Sequence, residues 1–145
     1  MAIDYAALAT EINTDPLALG YAAPKAAGND AAVATLLNTI GATAAYQVNR
    51  EPISTAVFLS HVDSAGFLAL LPTQLAQLQC LMVVQTIDIN DASTQAILVG
   101  IFGNPSATRT NIIAILKRQG SRAEVLFGRG VTVSSDDVAR AMGRV

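Results

Sequence analysis

Thr73-Gln74-Leu75-Ala76-Gln77-Leu78-Gln79-Cys80-Leu81-Met82-Val83-Val84-Gln85-Thr86 contains no charged residue. Leu75, Leu78, Leu81 and Met82 recur at helical spacing, and residues 80–84 are apolar all round. That period without a polar face predicts a helix enclosed on most sides. The central element over 73–86 is therefore helical, and it sets the fold class as mostly α.

Helix signals continue on both sides. Towards the N-terminus, Asp4 can cap a short helix carrying Tyr5, Leu8 and Ile12. Pro16 interrupts, Leu17 to Gly28 reads as loop, and Asp30 opens a helix with an apolar stripe at Val33, Leu36, Leu37 and Ile40. Ala42 to Glu51 is read as extended or loop. Ser54 or Thr55, and then Asp63, start two short helices, although the conformation of 42–72 is left open. Towards the C-terminus, Ala92 to Phe102 is a helix stopped by Gly103-Asn104-Pro105. Ser106 caps a long helix to Gln119, with Lys117 and Arg118 in its last turn, where the helix dipole favours cations. Ser121-Arg122-Ala123-Glu124 is a capping box, and Ser134 caps the last helix. The expectation is one compact domain over 1–145, built of about seven short helices with ordered loops. It is organised as an N-terminal helical segment (1–41), central apolar helices (42–103) and basic C-terminal helices (104–145).

Composition bears on function. Only 14% of the residues are charged, while 52% are apolar. An ordinary soluble domain carries about 25% charge, and a small domain has much surface for its volume. Part of this surface is therefore expected to be covered in the working state, as in an assembly subunit packed on copies of itself or on other chains. No apolar run approaches the roughly 20 residues a spanning helix requires, so no membrane partner is expected. Asp4 and Glu11 stand where an export signal would be basic and apolar, which leads to the expectation of synthesis and assembly in the cytoplasm. The single cysteine, Cys80, excludes an internal disulfide and, in an apolar run, reads as a buried thiol.

Charge is unevenly placed. Residues up to 108 include two basic and eight acidic side chains, whereas 109–145 include seven basic and three acidic. The basic set, Arg109, Lys117, Arg118, Arg122, Arg129, Arg140 and Arg144, is a candidate electrostatic interface between subunits. Nucleic-acid contact through the same residues is the alternative. Against it, Phe127 is a solitary aromatic among them and offers no stacking platform. Compensation of helix C-termini is the third reading of these cations.

No catalytic, cofactor or metal constellation emerges. Ser60-His61-Val62-Asp63 has the residue types of a hydrolytic triad, but a triad converges from separate segments. Asp88-Ile89-Asn90-Asp91 has Ser93 and Val99 where a calcium loop needs Gly and Glu, so it reads as a turn with Asn90 or Asp91 as a helix N-cap. Gly128-Arg129-Gly130 and Gly100-Ile101-Phe102-Gly103 are too sparse for phosphate loops.

Two stretches carry a resemblance. The first is Thr14-Asp15-Pro16-Leu17-Ala18-Leu19-Gly20-Tyr21-Ala22, followed by Asn29 to Ala34 and Leu36-Leu37-Asn38. The second is Ile101-Phe102-Gly103-Asn104-Pro105-Ser106-Ala107-Thr108, followed by Ser121 to Glu124 and Asp137-Val138-Ala139-Arg140-Ala141. This arrangement resembles small, largely uncharacterised virion-associated structural proteins of tailed bacteriophages. It covers both ends of the chain and not Ala42 to Thr86, and Ala23 to Asn29 looks like an insertion relative to the short form. The resemblance implies a virion protein, at a place in the head, neck, tail or fibre region that the motif does not specify. Partners would be copies of itself and other phage structural proteins. The Asp15-Pro16 turn followed by Gly20 describes an ordered irregular loop, which makes Asp15, Pro16, Leu17, Gly20 and Tyr21 candidate partner-docking residues. The combined expectation is a non-enzymatic structural or assembly subunit without cofactor.

Overall fold

The computed structural model describes residues 2–145, and the fold is mostly α. Among the described residues there are ten α-helices rather than about seven. They are α1 (Tyr5–Thr14), α2 (Ala22–Ala26), α3 (Asp30–Asn38), α4 (Thr55–Ser60), α5 (Ser64–Leu68), α6 (Pro72–Met82), α7 (Ala92–Phe102), α8 (Ala107–Ala114), α9 (Arg122–Phe127) and α10 (Ser135–Ala141). Four short strands accompany them: β1 (Gln47–Asn49), β2 (Ile53–Ser54), β3 (Thr86–Ile87) and β4 (Lys117–Gln119). β1 pairs with β4, and β2 is antiparallel to β3.

The chain divides into two compact units, one of residues 1–48 and 119–145 and one of residues 49–118. The first unit joins segments far apart in sequence. Leu8 and Ile12 from α1, Val33 and Leu37 from α3, Ala123 and Phe127 from α9, and Val138 from α10 share its core with Tyr21 and Val133. Its helix starts are chemically fixed. Asp4 Oδ1 accepts the Ala6 and Ala7 N–H groups at 2.9 and 3.0 Å, and Asn29 Oδ1 accepts that of Ala32 at 3.0 Å. Ser121 with Glu124, and Ser134 with Asp137, close two capping boxes. The stretch Leu17 to Gly28, expected as loop, contains α2. Pro24 fits there because the first turn of a helix needs no N–H from it.

The second unit packs Ile53, Phe58, Leu78, Ile87, Ile89, Leu98, Ile101 and Ile112. Ser54, Asp63, Asp91 and Ser106 cap α4, α5, α7 and α8 through their side chains. The buried Thr108 hydroxyl accepts the Asp63 N–H at 2.9 Å, tying the start of α8 to the start of α5.

Two expected helices are shorter than their patterns. α6 ends at Met82 because Thr86–Ile87 pairs with β2, placing Ile87 opposite Ile53, both buried. The helix after Ser106 stops at Ala114, not Gln119. Lys117 and Arg118 therefore lie in strand β4 and compensate no helix dipole. Asn90 fixes the approach to β4: its Nδ2 donates to the Arg50 carbonyl at 3.0 Å and to the Leu116 carbonyl at 3.2 Å. Backbone pairing overrides helix propensity worth only tenths of a kcal/mol per residue.

Candidate docking surface

The loop after α1 shows first what a candidate docking residue does here. Asp15 closes α1 in the left-handed conformation, φ 43°. Its carboxylate accepts the N–H groups of Leu19 at 2.7 Å, Gly20 at 2.8 Å and Tyr21 at 3.3 Å. With the Ala18 N–H donating to the Asp15 carbonyl at 3.0 Å, the donors of residues 18–21 are satisfied within the chain and require no partner. Tyr21 is fully buried. Burial, and the nearby charges of Glu11 and Asp15, push its phenol well above the ordinary range. Tyr21 is thus a core residue and not a docking one. Of the five candidates, Pro16 and Gly20 are exposed, and Asp15 and Leu17 are half-buried.

The basic residues are divided between the two units. Arg109, Lys117 and Arg118 belong to the second unit, and Arg122, Arg129, Arg140 and Arg144 to the first. At least three of the seven pair with acidic partners from the earlier part of the chain. Arg122 donates from Nε and Nη2 to the two oxygens of the buried Glu11, each at 2.7 Å. The hydrogen bonds to Glu11 raise the Arg122 guanidinium above its already high ordinary value. Arg118 forms a paired contact with Glu51. Arg144 Nη2 lies 2.8 Å from Asp30 Oδ1, close enough to pair without an aligned hydrogen bond. The polarity legible along the sequence is thus partly neutralised inside each unit. By unit, the first carries seven acidic and five basic residues and the second four of each.

The remaining motifs resolve locally. His61 Nδ1 lies 3.1 Å from Ser60 Oγ and 2.8 Å from the Val57 carbonyl. Asp63 is turned to cap α5, its Oδ2 accepting the Gly66 N–H at 2.7 Å. The three residues do not converge as a triad. Asp88 Oδ1 accepts the Asn90 N–H at 3.0 Å, and Asp91 Oδ2 accepts that of Thr94 at 2.9 Å, a turn followed by an N-cap. Among the described residues, no group of three or more His, Cys, Asp or Glu side chains could hold a metal ion. No helix among them is long and apolar enough to cross a membrane.

What the sequence flagged only by its missing charge is the outer surface of α6 and α7. Leu78 is the one buried residue of α6, and Leu98 and Ile101 are the buried residues of α7. Leu81, Met82 and Phe102 pack partly against the same core, and much of the remaining apolar sequence faces outwards. Leu71 is 62% exposed, Val83 84%, Val84 48% and Ile97 44%, and Leu75 and Val99 are also exposed. An apolar groove of about 710 Å³ runs here, lined by Ala76, Gln77, Cys80, Leu81, Val84, Ala96, Ile97 and Gly100. Cys80, expected to be buried, is exposed in it. The cause is the narrowness of the inward stripe: helical spacing sends Leu78 to the core and turns Cys80 away. Among the described residues, eleven of the fourteen exposed large hydrophobic side chains lie between Val57 and Ile113, all in the second unit. No protein-family model, curated protein or solved structure matches the chain.

Proposed function

We propose that this protein is a non-enzymatic structural or assembly subunit of a tailed-bacteriophage particle, held in place by apolar docking. The observation that carries the reading is the uncharged, exposed face of α6 and α7. Neither helix contains a charged residue, and their outer positions hold Leu, Val and Ile. Monomers rarely leave contiguous apolar patches beyond a few hundred Å² uncovered. The resemblance at Asp15 to Tyr21, Asp30 to Asn38 and Asp137 to Ala141 points to a virion as the place where such a surface is covered. Its partners are then copies of itself and other structural proteins of the particle.

Nucleic-acid contact is the competing reading, and the ion pairing of Arg118, Arg122 and Arg144 counts against it. Mass spectrometry of gradient-purified particles of the encoding phage tests the proposal. The protein should be present at a fixed copy number per particle. Its absence from particles, together with DNA affinity that falls steeply with salt, would establish the competitor.

A further inference from the structure

We infer that residues 49–118 form an inserted unit that opens and closes cooperatively while residues 1–48 and 119–145 stay folded, whatever the chain docks on. The cores have the membership such a device needs. α1 and α3, from before the insert, pack with α9 and α10, from after it, and every residue of that core lies in the first unit. The second core is drawn wholly from between Ile53 and Leu116. Among the described residues, no side chain is common to the two. Opening the insert therefore removes no member of the first core.

The chain crosses between the units twice, and each unit closes its own side of the crossings. In the first, the Gly120 N–H donates to the Tyr46 carbonyl at 2.8 Å, and the Gly41 N–H donates to the Gly120 carbonyl at 3.0 Å. Ile40 bridges Ser121 one step further in. Gly120 is needed there, because a Cβ would lie 2.7 Å from Val48 Cγ2. In the second, the Arg50 N–H donates to the Leu116 carbonyl at 2.8 Å, and Asn90 Nδ2 binds the carbonyls of both residues. Arg118 pairs with Glu51 beside them. Closing a long open loop costs entropy that grows only logarithmically with its length. The tied ends of the first unit can therefore outlast the folding of what hangs between them.

The insert is the unit that opens first. Both units are near the size at which a single core becomes marginal, so the amount buried decides their order. Among the described residues, twelve hydrophobic side chains are buried in the first unit and eight in the second. The first also holds the buried Glu11–Arg122 pair and the double grip of Asn38 on Val133. Segments that open below the global transition are those from which moving and binding elements are drawn. An insert of this kind can rearrange while the rest of the chain keeps its fold.

The test is native-state hydrogen exchange of the full chain, read by peptide-resolved mass spectrometry at low urea, in the wild type and in a core variant of each unit. In the wild type, the slowest amides of residues 49–118 should exchange about tenfold faster, or more, than the slowest of the first unit. Leu98 and Val33 are both fully buried, one in each core. Leu98→Ala should speed the slow amides of 49–118 by about thirtyfold or more and leave those of the first unit unchanged. Val33→Ala should do the reverse. Should Leu98→Ala unfold residues 49–118 outright, the first unit should still keep its protection. Ile101→Val makes the same comparison with a milder loss, about two- to tenfold. Slowest amides that are no faster in 49–118, or a variant that accelerates both units alike, would show a single cooperative domain and overturn the inference.

Discussion

Arg122 holds Glu11 through two parallel hydrogen bonds of 2.7 Å, across 111 positions of sequence. Glu11 is 4% exposed and the Arg122 side chain 15%. The pair joins α1 to the start of α9, and each partner depends on the other for compensation of its buried charge. Removing one should be much worse than removing both. Arg122→Met or Glu11→Leu alone is expected to destabilise by about 3–5 kcal/mol, while the double replacement Glu11→Leu with Arg122→Met should be near neutral or stabilising. Urea denaturation of the two single variants and the double variant completes the cycle. Equal costs that simply add would disprove coupling.

Asn38 grips Val133 from both sides. Its Nδ2 donates to the Val133 carbonyl at 2.7 Å, and its Oδ1 accepts the Val133 N–H at 2.9 Å. Asn38→Leu would leave two backbone groups of a 2%-exposed residue without partners. The expected loss is about 1–3 kcal/mol per group. Amide exchange at Val133 should accelerate before global unfolding. Unchanged protection there would show that the side chain is dispensable.

Gly41 leaves room for the Tyr46 ring, since a Cβ at that position would overlap three of its atoms. Tyr46 is only 9% exposed and sits directly before β1. Gly41→Ala should therefore destabilise by about 1–3 kcal/mol, the usual scale of overpacking. Gly103→Ala is a useful comparison, because no atom lies near its added Cβ and only its positive φ of 78° penalises the change. The two melting curves should separate steric overlap from backbone conformation.

Acid should loosen the start of α10. The Ser134 hydroxyl, the Ser134 N–H and then Tyr5 hydrogen-bond the Asp137 carboxylate and lower its pKa from the ordinary 3.8. A carboxylate with a depressed folded-state value stabilises fully above its unfolded value and loses that contribution as pH falls through the folded one. Melting temperature should therefore drop as pH is lowered below about 4, and Asp137→Asn should blunt that drop. An identical acid limb in wild type and variant would assign it to other carboxylates.

The sequence by itself determined the helical class and most helix starts. Asp4, Asp63, Ser106, Ser121 and Ser134 are N-caps as read, and of the two candidates Asn90 and Asp91 it is Asp91 that caps α7. A cap is legible because the side chain and the N–H groups it satisfies lie within three residues of each other. Helix ends were less legible. Thr86 and Lys117 each lie in a strand whose partner, β2 or β1, is more than thirty positions away. The low charge was readable as a surface to be covered, but its location was not. That depended on which stripe of α6 met the core, and Leu78 took that place while Cys80 turned outwards. The roles of Tyr21 and Arg122 were likewise decided only by the fold. A tyrosine beside a tight turn, or an arginine in a basic segment, has the same local signature exposed or buried. The tertiary structure brought Glu11 to Arg122 and enclosed Tyr21 in the core. Burial depends on contacts distant in sequence, and local periodicity carries no information about them.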